Sequence, residues 1–345
     1  MTLNSEILEQ PNRVEALLQT QRGVAEEIAG AIHRLGIQYV FLAARGTSDN
    51  AGRYANYLWG AVNGLPLALA TPSLFTYYQR PPKLSGALVV GISQSGVSPD
   101  IVSVLAEGKR QGCPTLAITN APDSPIAEAA NFVLNIQAGP ELAVAATKTY
   151  TAELMGIAMI SAAISGSEAS WRELEQVPGW IQQVLDKDQS IAQIVERYRY
   201  IDQCVVLGRG YNYATAFEWA LKLKELAYVL AEPYSSADFL HGPVALVDRG
   251  FPVLAIAPSG MVFEPVFSLL NELCNKHLAE LVVISDDPRA LALAKSPIPL
   301  PAGIPEWLTP LVSIVPGQLF AYRLAAAKGY DTEKPRHIHK VTETR

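Results

Sequence analysis

Along this chain, short wholly apolar runs end in polar turns, and each is followed by a stretch in which apolar residues recur every three or four positions. The runs Tyr39–Ala43, 88–92 and Thr115–Thr119 have the length and continuous hydrophobicity of strands buried on both faces. Helical spacing follows each of them: from Gly46 to about Trp59, from Pro99 through Ile101, Val104 and Leu105, and over 125–130. Residues 67–70 and 132–136 add two strands, and 73–78 a short helix. At the front, 4–22 reads as a helical lead-in interrupted at Pro11, and 24–35 as a second amphipathic helix. Residues 141–164 predict one long helix, entered through 143–148. Strands alternating with helices at this spacing predict an α/β fold, a doubly wound parallel sheet with helices on both faces.

After a polar helical connector over 167–199, the pattern starts again. Arg45-Gly46 follows one apolar run and Arg209-Gly210 another; Ser95-Gly96 and Ser259-Gly260 do the same, and both pairs are 164 residues apart. Strand 116–119 matches 282–285 at an offset of 166. A repeat held in register this far predicts two similar α/β domains. The first takes in 1–185 with its N-terminal helices, the second 190–335, and 336–345 is a tail.

The copies differ where chemistry would sit. The first carries Ser93-Gln94-Ser95-Gly96-Val97-Ser98, then Pro99 in the first turn of a helix with Ser98 as its N-cap. Strand, polar loop and helix N-terminus aim backbone N–H groups, hydroxyls and the positive end of a helix dipole at one point. Phosphate fits such a place; an ordinary serine-rich turn is the plain alternative. A second polar loop, Gly46-Thr47-Ser48-Asp49, ends the neighbouring strand and favours the phosphate. The second copy reads Ala257-Pro258-Ser259-Gly260-Met261-Val262, stripped of most polar side chains and, at Pro258, of a backbone donor. It is expected to keep the fold without the phosphate.

With 345 residues, 49% hydrophobic and 17% charged, the chain has the makings of a large globular core. A net charge of −6 argues against nucleic acid or an anionic membrane as partner, so an anionic substrate needs a local site. Cys113, Cys204 and Cys274 show neither a disulfide nor a zinc pattern. No signal peptide is evident, and the apolar stretch 154–164 is too short to cross a bilayer, so a cytoplasmic protein is expected.

Residues 214–232 predict a strong helix with Trp219, Leu223, Leu226 and Leu230 as its buried stripe. Glu218, Lys222 and Glu225 share the face beside it; for Glu218 a surface salt bridge to Lys222, worth a few tenths of a kcal/mol, is the reading adopted. Residues 235–243 predict a loop, with His241 held in a turn before Gly242-Pro243. Its imidazole either moves a proton near neutral pH or serves as a structural hydrogen-bonder. The polar tail holds His337, His339 and Lys340; two histidines without a carboxylate nearby do not make a metal site, and no metal or cofactor is expected.

The stretches RGTS (45–48), SQSG (93–96), AVAATK (143–148), LGRG (207–210), ALKLKE (220–225), HGP (241–243) and Lys340 together resemble the two-domain sugar isomerase (SIS) family nearly end to end. They are similar to the isomerase module of glucosamine-6-phosphate synthase; Thr2 follows Met1 with no glutaminase pattern ahead, and AARGTSDNA, SQSGVSPD and KVTETR look like the stand-alone SIS-type deaminases. The resemblance implies that Thr47, Ser48, Ser93, Gln94, Ser95 and Ser98 hold a sugar phosphate. Gly46, Val144 and Ala146 would line the sugar, Ala146 standing where synthases commonly carry a serine. It further implies that Glu225 moves a proton between C1 and C2, that Lys222 orients Glu225 or stabilises negative charge on the intermediate, and that His241 of a neighbouring subunit in a homodimer opens the ring. Lys340 would act at the carbonyl, as a charge or through a Schiff base, with the tail as a lid. The implied activity is conversion of glucosamine 6-phosphate to fructose 6-phosphate and ammonia. A related phosphosugar isomerase, an isomerase subunit supplied with ammonia from elsewhere, and a catalytically silent sugar-phosphate sensor are the alternatives.

Overall fold

In a computed structural model, which describes residues 2–340, the apolar runs are strands and the periodic stretches helices along nearly the whole chain. In order these are α1 (Leu3–Leu8), α2 (Gln10–Leu35), β1 (Tyr39–Ala43), α3 (Gly46–Asn63), β2 (Leu67–Leu69), α4 (Ser73–Thr76), β3 (Ala87–Ser93), α5 (Pro99–Arg110), β4 (Thr115–Thr119), α6 (Pro125–Ala129), β5 (Phe132–Asn135) and α7 (Lys148–Ser165). The chain continues through α8 (Glu168–Leu174), α9 (Val177–Leu185), α10 (Asp188–Glu196), β6 (Gln203–Gly208), α11 (Tyr213–Ala227), β7 (Leu230–Ser235) and α12 (Ser236–Phe239). It ends with β8 (Pro252–Ile256), α13 (Phe263–Asn275), β9 (Glu280–Ser285), α14 (Pro288–Leu293), β10 (Ser296–Pro299) and α15 (Thr309–Ala327). Two compact units exchange short segments. The N-terminal sheet unit comprises Glu9–Leu142, Lys148–Pro178 and 339–340; the C-terminal sheet unit comprises 2–8, Ala143–Thr147 and Gly179–Ile338.

Each unit is built on a five-stranded sheet whose paired strands are all parallel. The orders are β2-β1-β3-β4-β5 and β7-β6-β8-β9-β10, the same topology twice. In each, the chain leaves the first strand toward one edge and returns to build the other side. The strand order therefore reverses between β1 and β3, and between β6 and β8, which opens a crevice beyond their C-terminal ends. Covering helices fall into two groups in each unit. In the first, α2 and α3 pack on α7, and α4 and α6 pack on α5; in the second, α10 and α11 pack on α15, and α12 and α14 pack on α13. Covered on both faces, β3, β4 and β8 bury every residue.

Helix α5 illustrates the packing. Ile101, Val104, Leu105 and Gly108 form its buried face, and each of the three aliphatic side chains contributes about 1.5–3 kcal/mol by leaving water. Glycine at both contact points lets α5 approach the sheet. A Cβ on Gly91 of β3 would stand 2.5 Å from Leu105 Cδ1, and one on Gly108 would stand 2.7 Å from a Val89 methyl.

The structure departs from the sequence expectation at several places. The break in the front helix falls at Glu9, and Pro11 sits harmlessly in the first turn of α2, which runs on unbroken through Gly23. The long helix expected over 141–164 begins only at Lys148. Glu141 instead folds its carboxylate onto Thr149, accepting from the backbone N–H at 3.1 Å and from the hydroxyl at 2.8 Å, and so satisfies the start of α7. The helix expected over 214–232 stops at Ala227. Tyr228 caps it in the left-handed region (φ +54°), and Leu230 starts the edge strand β7, 61% exposed and off the buried stripe. Pairing with β6 overrides the helical periodicity there. The loop expected over 235–243 contains the single-turn helix α12.

Replacing Gly108 by Ala gains helix propensity but drives a methyl into Val89. The expected net outcome is a loss of about 1–3 kcal/mol, read as a lower urea midpoint at unchanged slope. Gly23 of α2 is exposed with open space around its Cα, so Gly23→Ala is expected to stabilise by about 0.5–1 kcal/mol in the same assay.

Candidate active site

In the N-terminal sheet unit both polar loops stand at the β1/β3 reversal, since Ala43 of β1 pairs with Gly91 of β3 just before each loop begins. The first is almost all helix start: Arg45 is the N-cap of α3, and Gly46 turns the chain at φ +54°. Ser48 is buried, its hydroxyl donating to Glu153 Oε1 of α7 at 2.8 Å. The second loop is pinned by its backbone. Ser93 Oγ accepts from Gly96 N–H, the Gln94 carbonyl accepts from Asn120, and the Gly96 carbonyl accepts from Ile126. Gly96 sits at φ +69°, where a Cβ would overlap Ser124 Oγ at 2.0 Å. Ser98 occupies the N-cap of α5 as expected, but its hydroxyl makes no capping bond. Among the described residues, the N–H groups of Ser95, Val97 and Ser98 and the side chains of Gln94, Ser95 and Ser98 have no hydrogen-bond partner. A preformed cluster of donors thus faces outward, the arrangement that suits a polyoxygen anion.

The two loops are tied together by a contact that sequence reading missed. Arg45 Nε donates to Asp100 Oδ2 at 2.7 Å, and Asp100 is wholly buried in the first turn of α5. On α3, burial pushes the Asp49 carboxyl up, opposed by the charges of Arg53 and Arg45. Arg and Asp at these positions are visible in the sequence, but nothing in the spacing signals that they meet. Beside this crevice Lys148, fully buried, donates to Glu9 at 2.8 Å. Burial works to raise the Glu9 carboxyl, but hydrogen bonds from Lys148 and Arg13 outweigh it and hold the group below its ordinary value. Lys340 Nζ donates to Glu141 Oε2 at 2.6 Å, the same carboxylate that starts α7. The tail beyond Lys340 lies outside the described residues.

In the C-terminal sheet unit the corresponding crevice is closed. Gly210 repeats the turn of Gly46 at φ +59°, so the backbone of the two copies matches at that point. The second loop does not follow. Ser259 N–H donates to Asp286 at 2.7 Å and Met261 N–H to Glu306 at 2.9 Å, so the protein's own carboxylates occupy two of its donors. This explains in structural terms why the second copy is not expected to hold phosphate.

The face of α11 carries Glu218, Lys222 and Glu225, and the structure brings the three together. Lys222 Nζ lies 2.5 Å from Glu225 and 3.3 Å from Glu218. Glu218 is fully buried, which corrects the surface salt bridge expected for it: the helix turns this face inward against α15, where a charge survives only if paired. Burial works to lower the Lys222 ammonium, but the two carboxylates overcome it and hold the group well above its ordinary value, so it stays charged at neutral pH. Glu225 keeps 24% of its side chain exposed: a carboxylate fixed at one oxygen and open at its edge is a fitting proton carrier. His241 lies in the expected turn, exposed, its N–H bonded to the Asp238 carbonyl. Val144 and Ala146 belong to the short segment Ala143–Thr147. That segment is fastened by Glu6, which accepts from Ala143 N–H, and by Gln318, which donates to the Thr147 carbonyl.

Two parallel sheets reversed at the same point, one with an open polar crevice and one with its crevice filled, define a duplicated α/β chain. It belongs to the SIS domain family, whose model matches residues 38–163 and 199–328. Over 97% of its length the chain is 34% identical to the isomerizing glutamine–fructose-6-phosphate aminotransferases of Gloeobacter violaceus and Thermus thermophilus, and it spans 57% of the length of those relatives. Among solved structures, the C-terminal domain of glucosamine-fructose-6-phosphate aminotransferase from Francisella tularensis superposes with a TM-score of 0.85 at 28% identity, covering 96% of this chain and 98% of that one. The glucosamine-6-phosphate deaminase of Thermotoga maritima shares the fold at a TM-score of 0.81 and 21% identity, covering all of both chains. No helix among the described residues is long and apolar enough to cross a membrane.

The two copies make opposite predictions for the same substitution. Ser95→Ala is expected to weaken sugar-phosphate binding by roughly ten- to a hundredfold, the loss of one hydrogen bond to a charged oxygen, with the melting curve unchanged. Ser259→Ala is expected to leave binding untouched, because its loop donors already serve Asp286 and Glu306. Titration calorimetry with fructose 6-phosphate checks both, and equal effects would move the phosphate out of the β1/β3 crevice.

Proposed function

We propose that this chain converts glucosamine 6-phosphate and water to fructose 6-phosphate and ammonia. The observation that carries the reading is the contrast between the copies: outward-facing donors at the β1/β3 reversal, and donors closed by Asp286 and Glu306 in the repeat. The relatedness to aminotransferases that act on fructose 6-phosphate supports the choice of sugar. In this reading Thr47, Ser48, Ser93, Gln94, Ser95 and Ser98 hold the phosphate, and Gly46, Val144 and Ala146 border the sugar. His241, supplied by a second copy of the chain in a homodimer, opens the ring by general acid–base transfer. Glu225, held at one oxygen by Lys222, takes the proton from C2 and returns it at C1 through an enolamine. The resulting imine at C2 adds water and releases ammonia. Lys340 serves the carbonyl either as a charge or as a nucleophile; the second role requires its Nζ to leave Glu141 and lose a proton. The reverse direction, amination of fructose 6-phosphate with ammonia from another source, uses the same proton transfer, and the relatedness to the aminotransferases favours it as the second reading.

Purified protein incubated with glucosamine 6-phosphate and no glutamine is expected to release ammonia and fructose 6-phosphate in equal amounts. Glu225→Gln is expected to cut the rate by about a hundredfold or more, roughly 2.7 kcal/mol of barrier. Binding of the sugar phosphate without turnover in either direction would leave the sensor reading standing instead.

The shared role of His241 has its own check. Subunits carrying Glu225→Gln and subunits carrying His241→Ala, each inactive alone, are expected to regain part of the activity on mixing, because a mixed dimer holds one site with neither defect. Verified exchange with no regained activity would return His241 to its own subunit.

A further inference from the structure

We infer that Arg45 is a direct ligand of the substrate's phosphate, held in place by Asp100; the inference rests on the reading of the β1/β3 loops as the phosphate site. Every side chain already assigned there, Thr47, Ser48, Ser93, Gln94, Ser95 and Ser98, is uncharged, whereas a sugar phosphate arrives as a dianion. Arg45 stands at the N-cap of α3 on one side of the crevice. Its Nε bond to Asp100 Oδ2 carries the guanidinium across to the first turn of α5, two residues beyond Ser98. That bond uses one of the five N–H groups of the guanidinium. The two terminal amino groups have no hydrogen-bond partner among the described residues, and 49% of the side chain is exposed. A planar fork tethered at its Nε and open at its tips is the geometry that grips phosphate oxygens, with charge-assisted bonds stronger than those of a hydroxyl.

The acidic groups around it fit this role. Asp100 is buried and fixes the guanidinium through one oxygen, while its Oδ1 accepts from Ile101 N–H. Asp49, the other carboxylate whose charge reaches Arg45, is paired with Arg53 at 3.2 Å. The repeat supplies a control. The matching residues 164 positions on are Arg209 and Glu264, but Glu264 pairs with Arg289 at 2.8 Å, and Arg209 forms no ion pair among the described residues. The arginine tether across the crevice is present in the copy with open donors and absent from the copy whose donors are filled.

A plain structural role for Arg45, neutralising Asp100 alone, makes a different forecast. The test is calorimetric titration of glucosamine 6-phosphate into the full chain carrying Glu225→Gln to block turnover, with Ser95→Ala, Arg45→Gln and the pair Arg45→Gln/Asp100→Asn added in turn. The pair removes both charges, so no carboxylate is left buried and unpaired. It is expected to melt like its parent yet bind about tenfold or more weaker, matching the loss at Ser95. Parent-like affinity in the pair, with Ser95→Ala still weakened, overturns the role of Arg45 alone. Parent-like affinity in Ser95→Ala overturns the site reading and this inference together. Should the pair not fold, Arg45→Lys decides: it keeps the charge but cannot hold Asp100 and phosphate with one planar fork. A severalfold loss supports the inference, and parity with the parent overturns it.

Discussion

The reversal of strand order between β1 and β3 is the constraint on which the rest of the N-terminal sheet unit depends. A parallel strand must be reached by a crossover, and the crossover is right-handed. Running outward from β1 to the edge strand β2 and then back to β3 therefore sends α3 and α5 to different helical layers. The loops after β1 and β3 stand at that reversal. Two helix N-termini lie there, and the N–H groups of Ser95, Val97 and Ser98 ahead of α5 have no hydrogen-bond partner among the described residues. Polar loops at that point follow from the topology; serines and a glutamine in them are what make the point chemical.

Charge inside this chain is handled by pairing. Asp100 with Arg45, Glu9 with Lys148, Glu141 with Lys340, and Glu218 with Lys222 each set a buried group against an opposite charge. Such pairs give little net stability, because desolvation of both partners offsets most of the attraction. What they give is direction. Glu225 is held at one oxygen by a lysine that cannot move, Arg45 is turned toward α5, and Lys340 is docked at the start of α7. Each of these holds a charged side chain at a defined place while leaving part of it accessible.

The duplicated halves divide the work as two outcomes of one fold. Gly46 and Gly210 keep the same left-handed turn at the same place, and the residues that follow both tie back to the last long helix of their own unit: Ser48 to Glu153 of α7, Asn212 to Thr309 and Ser313 of α15. Packing demands were therefore retained in both. Two donors of the second crevice, the N–H groups of Ser259 and Met261, are taken by Asp286 and Glu306. Loss of hydroxyls alone would have left those donors bare; internal carboxylates complete the change.

The sequence by itself determined the α/β class, the repeat, most strands and most helices, because a strand buried on both faces and a helix buried on one leave periodicities that need no partner to be read. It also located the two polar loops, since serine-rich turns after apolar runs are local features. It misjudged 141–147 and 228–232, where helical spacing continues but the backbone obeys other bonds: Glu141 closing onto Thr149, and β7 pairing with β6. It read Glu218 as a surface residue because spacing tells which residues share a face and not which way that face turns. Only the tertiary structure decided that Arg45 meets Asp100, that Lys340 meets Glu141, and that Glu306 fills the second crevice. Those contacts join residues 55, 199 and 45 positions apart, and a charge carries no periodic mark of the distant partner that will neutralise it.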